Sequence, residues 1–112
     1  MKTLKFRRFL ADEILERRKT VTWRLFDDKD LKVGDGLDLI EWESGKKFAE
    51  VEITEVREKI LAKIEDADFE GHEKFESREA MLREYQKYYG DKVTMDTPVK
   101  IIRFSVINKK LS

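Results

Sequence analysis

A chain of 112 residues without cysteine has room for a modest core, and it has no disulfide framework and no thiolate for metal binding or catalysis. Charged residues make up 43% of it, balanced at 24 basic and 24 acidic, and its single histidine excludes a histidine-rich metal cluster. No apolar run approaches the roughly 18–20 residues that span a bilayer. The basic start (Lys2, Lys5, Arg7, Arg8) leads into no apolar stretch with a cleavage site, so no signal peptide is expected and a cytoplasmic protein is the default. The length predicts one domain over residues 1–112. Asn108 and Gln86 are the only side-chain amides, and high charge with few amides is the pattern of a protein from a hot environment.

Leu4 and Phe6 alternate with Lys5 and Arg7, which predicts a short first strand. From Phe9 to Arg18 the spacing becomes helical, with Leu10 and Ile14 one turn apart, as are Ala11 and Leu15. Glu13 and Arg17 stand at i,i+4 in the favourable order, and the arginines near the end suit the helix dipole. Four of the eight side chains from Arg17 to Arg24 are cationic, and Val21, Thr22 and Trp23 favour extended backbone. A strand here sends Thr20, Thr22 and Arg24 to one face and Val21, Trp23 and Leu25 to the other. One face then joins a core, and the other offers two hydroxyls and a guanidinium, with Lys19 at the strand's start. The plainer alternative is a surface turn with solvated charges.

Residues 25–32 carry Asp27, Asp28, Lys29 and Asp30 and predict an exposed loop. Gly34-Asp35-Gly36 turns the chain into a strand from Leu37 to Glu43, and Ser44-Gly45-Lys46 signals a hairpin. The return strand, Phe48 to Val56, loses its two-residue period after Ile53, which predicts a bulge or a strand end. Residues 60–75 fit either a strand or a helical turn and then become strongly acidic. Asp66 to Gly71 begins like a calcium loop, but its twelfth position, which needs a bidentate Glu, is Ser77, so no metal is expected. Ser77 is a good N-cap for a helix carrying Met81, Leu82, Tyr85 and Tyr89, with Gly90 as its stop. The tyrosines suit the core and rim of that helix better than a base-stacking platform. Val99 to Ile107, just after Pro98, predicts a central strand with Ile102, Phe104 and Val106 on one face.

The charge is unevenly spread. Residues 1–24 hold 8 basic and 3 acidic side chains, residues 25–76 hold 8 and 17, and residues 77–112 hold 8 and 4. If the two ends of the chain are neighbours in space, the fold has a basic side able to attract an anion such as RNA. Salt bridging between the segments is the alternative. No phosphate loop, dinucleotide fingerprint, zinc-protease helix or serine nucleophile elbow is present.

Lys19, Thr22 and Arg24 fall on the Lys, Thr and Arg of Gly-x-Lys-x-x-Thr-x-Arg, and Arg17 stands where that pattern has its Gly. Lys32-Val33-Gly34-Asp35 matches a Lys-x-Gly-Asp strand start. The sequence in these respects resembles the ASCH family, and the likeness continues through Gly71-His72, Ser77, the following helix and the last strand. The resemblance implies an α+β fold, a small PUA-like, mostly antiparallel β-barrel with two main helices. It also implies two functions. The first is binding of RNA or a modified nucleoside, with Arg18, Lys19, Thr22, Trp23 and Arg24 as contacts and an exposed Trp23 stacking on a base. The second is N4-acetylcytidine amidohydrolase activity, with no cofactor, using Lys19, Thr22 and Glu76, which lies four residues after His72. A threonine nucleophile needs a base, and a lysine serves only if its pKa is depressed. A carboxylate beside it acts in the opposite direction. A small structural domain without a dedicated ligand is the third possibility.

Overall fold

Alternating apolar and charged side chains build five strands, and two amphipathic stretches build two helices. In the computed structural model, which describes residues 2–109, the chain runs β1 (Lys2–Phe6), α1 (Arg8–Leu15), β2 (Val21–Leu25), β3 (Gly36–Glu41) and β4 (Lys47–Ile60). Two 3-10 turns follow (Leu61–Lys63 and Asp66–Phe69), then α2 (Arg78–Tyr89) and β5 (Pro98–Lys109). The sheet order is β1-β3-β4-β5-β2. β1 pairs in parallel with β3, and the other three pairings are antiparallel. The result is a mixed, mostly antiparallel half-barrel with two helices, a PUA-like α+β arrangement. Among the described residues, no helix is long and apolar enough to cross a membrane.

The two helices cover two apolar clusters. Ala11 and Ile14 of α1 close over Leu4, Phe6, Leu37, Leu39, Val51, Ile53, Ile102 and Phe104. Met81 and Tyr85 of α2 close over Val21, Trp23, Leu25, Leu61, Val99 and Ile101. Ile101 and Ile102 are consecutive yet feed different clusters, because successive side chains of β5 face opposite sides of the sheet. Ser77 caps α2 as expected, its hydroxyl accepting from Ala80 N–H at 3.0 Å, and Gly90 ends the helix with φ at 95°. The expected irregularity after Ile53 is a register shift between Ile53 and Glu55 against β5.

Several local expectations shift. α1 stops at Leu15, well short of Arg18, and Arg17 takes a left-handed conformation with φ at 64°. That is the position where the ASCH pattern has Gly, and a left-handed non-glycine residue costs roughly 1–2 kcal/mol. With the helix already ended, Glu13 pairs with Arg18 at 2.6 Å in place of Arg17. β4 runs on to Ile60, so residues 60–75, which fit a strand or a helical turn by sequence, begin as strand and continue as 3-10 turns. In that segment the oxygens of buried Asp68 are held by Arg57 at 2.9 Å and Lys59 at 2.8 Å. Those ion pairs fasten the acidic turn to β4, and with Glu65 N–H they hold the Asp68 carboxyl below its ordinary range although burial pushes it up.

Candidate functional site

β2 is an edge strand, and its pairing with β5 brings the two basic ends of the sequence together. Between the edges β1 and β2 lies a cavity of about 270 Å³. β1 and the turn after it supply Lys5, Phe6 and Arg7, and α1 supplies Leu10. β2 and its approach supply Lys19, Thr22, Trp23 and Arg24. Trp42 comes from the turn after β3, His72 and Glu73 from the loop before α2, and Tyr85, Tyr88 and Tyr89 from α2. The cavity occupies the seam that the half-barrel leaves unclosed.

The loop carrying His72 and Glu73 is fixed by its glycine. Gly71 has φ at 78°, and its carbonyl accepts from Thr20 N–H at 2.9 Å and Val21 N–H at 3.1 Å. A Cβ at that position would overlap the Thr20 hydroxyl. This docking sets Glu73 against Lys19. The Lys19 ammonium, 4% exposed, donates to Val21 O at 2.8 Å and to Glu73 Oε2 at 2.7 Å. Burial pushes the Lys19 pKa down, and Glu73 offsets only part of that. Burial likewise pushes Glu73 up, but the Lys19 charge and the His72 ring outweigh it and the carboxyl ends below its usual value.

His72 Nδ1 lies 2.7 Å from the Glu73 carbonyl oxygen. A carbonyl only accepts, so Nδ1 carries the proton and donates. The ring stacks on Trp23, with centroids 4.1 Å apart and planes 16° from parallel. Burial first, then the Lys19 charge, pushes its pKa down to about 4, and the imidazole is neutral near pH 7.

Arg24 completes the seam. Its Nη2 donates to Lys5 O on the opposite edge at 3.3 Å, and its guanidinium lies 4.7 Å from the centre of the Phe6 ring. The Tyr89 hydroxyl is its side-chain partner, no carboxylate pairs with it among the described residues, and its Nε is buried without an acceptor there. Burial pushes its pKa down, yet arginine keeps its charge in proteins. Trp23 Nε1 is a second buried donor without an acceptor. Leaving such a donor unmatched costs about 1–3 kcal/mol.

Of the residues singled out from sequence, Lys19, Thr22, Trp23 and Arg24 all line this cavity. Trp23 is only 3% exposed, so it is a core residue bordering the cavity, and its stacking partner is His72. Arg18 is exposed and held by Glu13 and Glu16 outside the lining. Glu76 is also exposed and outside the lining, and the carboxylate on Lys19 belongs to Glu73, three residues earlier. The sequence assigned the α2 tyrosines to the core and rim of their helix and gave Trp42 no role, because these side chains reach the cavity only through tertiary packing.

Among solved structures, the chain is similar to a DUF984 protein of Enterococcus faecalis, with TM-score 0.77 and 17% identity over 93% of this chain and 73% of that one. It is also similar to an ASCH domain of Lactobacillus crispatus, with TM-score 0.69 and 18% identity over 88% and 70% of the two chains. A Pyrococcus furiosus protein matches with TM-score 0.64 and 21% identity over 95% and 96%. No protein-family model matches the sequence, and no curated protein does. At these identities the likeness is one of fold, and the fold is that of an ASCH domain.

Proposed function

We propose that this chain binds RNA or a nucleotide, with one nucleotide seated in the cavity between β1 and β2. The observation that carries this is one concave site joining aromatic walls to a half-buried guanidinium that has no carboxylate partner among the described residues. A nucleotide brings both complements, a planar base and an anion. Arg24 reaches only a backbone carbonyl and the Tyr89 hydroxyl, and a ligand phosphate would give its guanidinium the anion it lacks. Lys19 is already matched by Glu73, so Glu73, Lys19 and Thr22 form the polar end that would hydrogen-bond a base edge. The volume is close to the lower end of ligand pockets, about 300–1,000 Å³, and suits one nucleotide better than a larger cofactor.

The expected result is saturable nucleotide binding that weakens as salt is added, because phosphate contacts release counterions. Lys19→Ala combined with Arg24→Ala should lower the affinity at least 10-fold in calorimetry. Binding insensitive to salt, or undiminished in the double variant, would contradict a site here.

One observation favours a second reading, amidohydrolysis of an N4-acylated cytidine. Burial depresses the Lys19 pKa, and Thr22 lines the same cavity. In that chemistry the Thr22 hydroxyl attacks the acyl carbonyl while a neutral Lys19 takes its proton. The C–N bond breaks as that proton passes by way of Glu73 to the leaving N4 amine, and water then hydrolyses the acyl-threonine ester to release acetate and restore the hydroxyl. Thr22→Val should stop acetate release from N4-acetylcytidine, and Glu73→Gln should slow it about 10²–10⁴-fold, the usual scale for an acid–base group. Glu76→Gln is the contrast, because Glu76 lies outside the cavity. A wild-type protein that binds the nucleoside and releases no acetate leaves only the binding function.

A further inference from the structure

We propose that the ligand is a single strand of nucleic acid and that Trp42, at the cavity mouth, stacks the base next to the seated nucleotide. This rests on the cavity being a nucleotide site. Trp42 lines the mouth and is 54% exposed. Its backbone is held in place, the Trp42 N–H donating to Phe6 O at 2.8 Å, which ties this turn to the end of β1. Lys5 Nζ lies 5.3 Å and Arg7 Cζ 4.9 Å from the ring centre. Lys2 and Arg8 nearby pair with Asp35 and Glu41, whereas Lys5 and Arg7 have no carboxylate partner among the described residues. In a chain with as many acids as bases, two cations that lie over a half-exposed indole, without a carboxylate of their own, mark a place for an outside anion.

A free mononucleotide in a cavity of about 270 Å³ touches the inner edge of Trp42 and leaves its solvent-exposed part uncovered. A strand covers it: the next base lies on Trp42, and the phosphate joining the two nucleotides passes Lys5 and Arg7. Tyr88, another lining residue and also 54% exposed, gives the strand a second aromatic edge. A duplex cannot use this surface, because its base faces are already stacked. Base–aromatic stacking is worth about 5- to 150-fold in affinity.

The test is calorimetry at one fixed salt concentration, with each nucleoside monophosphate set against the matching single-stranded trinucleotide, as RNA and as DNA. For the preferred base, the trinucleotide should bind at least 5-fold tighter than the mononucleotide. Trp42→Ala should bring that ratio close to one, and Trp42→Phe should keep most of it. A trinucleotide no tighter than the mononucleotide, or a ratio that survives Trp42→Ala, overturns the proposal and leaves the cavity site intact. Failure of both ligands to bind overturns the cavity site itself. Binding by an added protein that Trp42→Ala abolishes, with no length dependence for nucleotides, assigns the surface to a protein partner and also overturns it.

Discussion

Gly71→Ala should destabilise this protein by about 2–5 kcal/mol and weaken nucleotide binding with it. Two costs combine. A left-handed alanine costs roughly 1–2 kcal/mol, and a Cβ that overlaps the Thr20 hydroxyl adds the roughly 1–3 kcal/mol typical of overpacking. Relief of the overlap moves Gly71 away from β2, so the bonds from Thr20 and Val21 N–H to its carbonyl lengthen. Glu73, two residues on, then loses its seat against Lys19. Urea unfolding measures the first effect and calorimetry the second. Thr20→Ala added to Gly71→Ala removes the overlapping hydroxyl and should recover only the steric part of the loss. Full stability in Gly71→Ala alone would show that the loop is not seated in this way.

Acidification should weaken the fold between pH 6.5 and about 4, mainly through His72. Burial holds its folded-state pKa at about 4, against 6.5 for the free side chain. Above pH 6.5 the ring is neutral in both states and contributes no slope. Below it the unfolded chain takes up a proton that the folded chain refuses, so stability falls as pH falls. The gap of about 2.5 pH units, at roughly 1.4 kcal/mol per unit, amounts to about 3 kcal/mol. Carboxyls such as Asp68, held low in the folded state, add their own loss at the acid end. His72→Phe keeps a ring on Trp23 and removes the titration, so its stability should change little between pH 6.5 and 5. An equally steep wild-type and His72→Phe profile in that window would contradict a buried neutral imidazole.

These two positions also show where sequence was legible. The strand that places Lys19, Thr22 and Arg24 could be read because apolar–polar alternation is local. Ser77 and Gly90 could be read because helix ends have short-range chemistry. The partner of Lys19 could not be read this way. Counting from His72 pointed to Glu76, but the left-handed turn at Gly71 decides which carboxylate faces β2, and it selects Glu73. The same applies to Trp23, where alternation gave its face and only packing gave its contact with His72. Lys5, Arg7, Trp42 and the α2 tyrosines converge because β1 lies parallel to β3 and α2 lies over β2. No spacing along the chain records those neighbours.

The central claim is that a nucleotide occupies the cavity, and the chain's two tryptophans provide a direct reading of it. A nitrogen–proton correlation spectrum should show two indole N–H signals, one from buried Trp23 and one from exposed Trp42. Trp23 Nε1 has no acceptor among the described residues. On titration with nucleoside monophosphates at low salt, both signals should shift saturably with one common Kd, and Arg24→Gln should raise that Kd at least 10-fold. Indole signals that stay in place up to millimolar nucleotide, in a folded wild-type protein, would contradict the account.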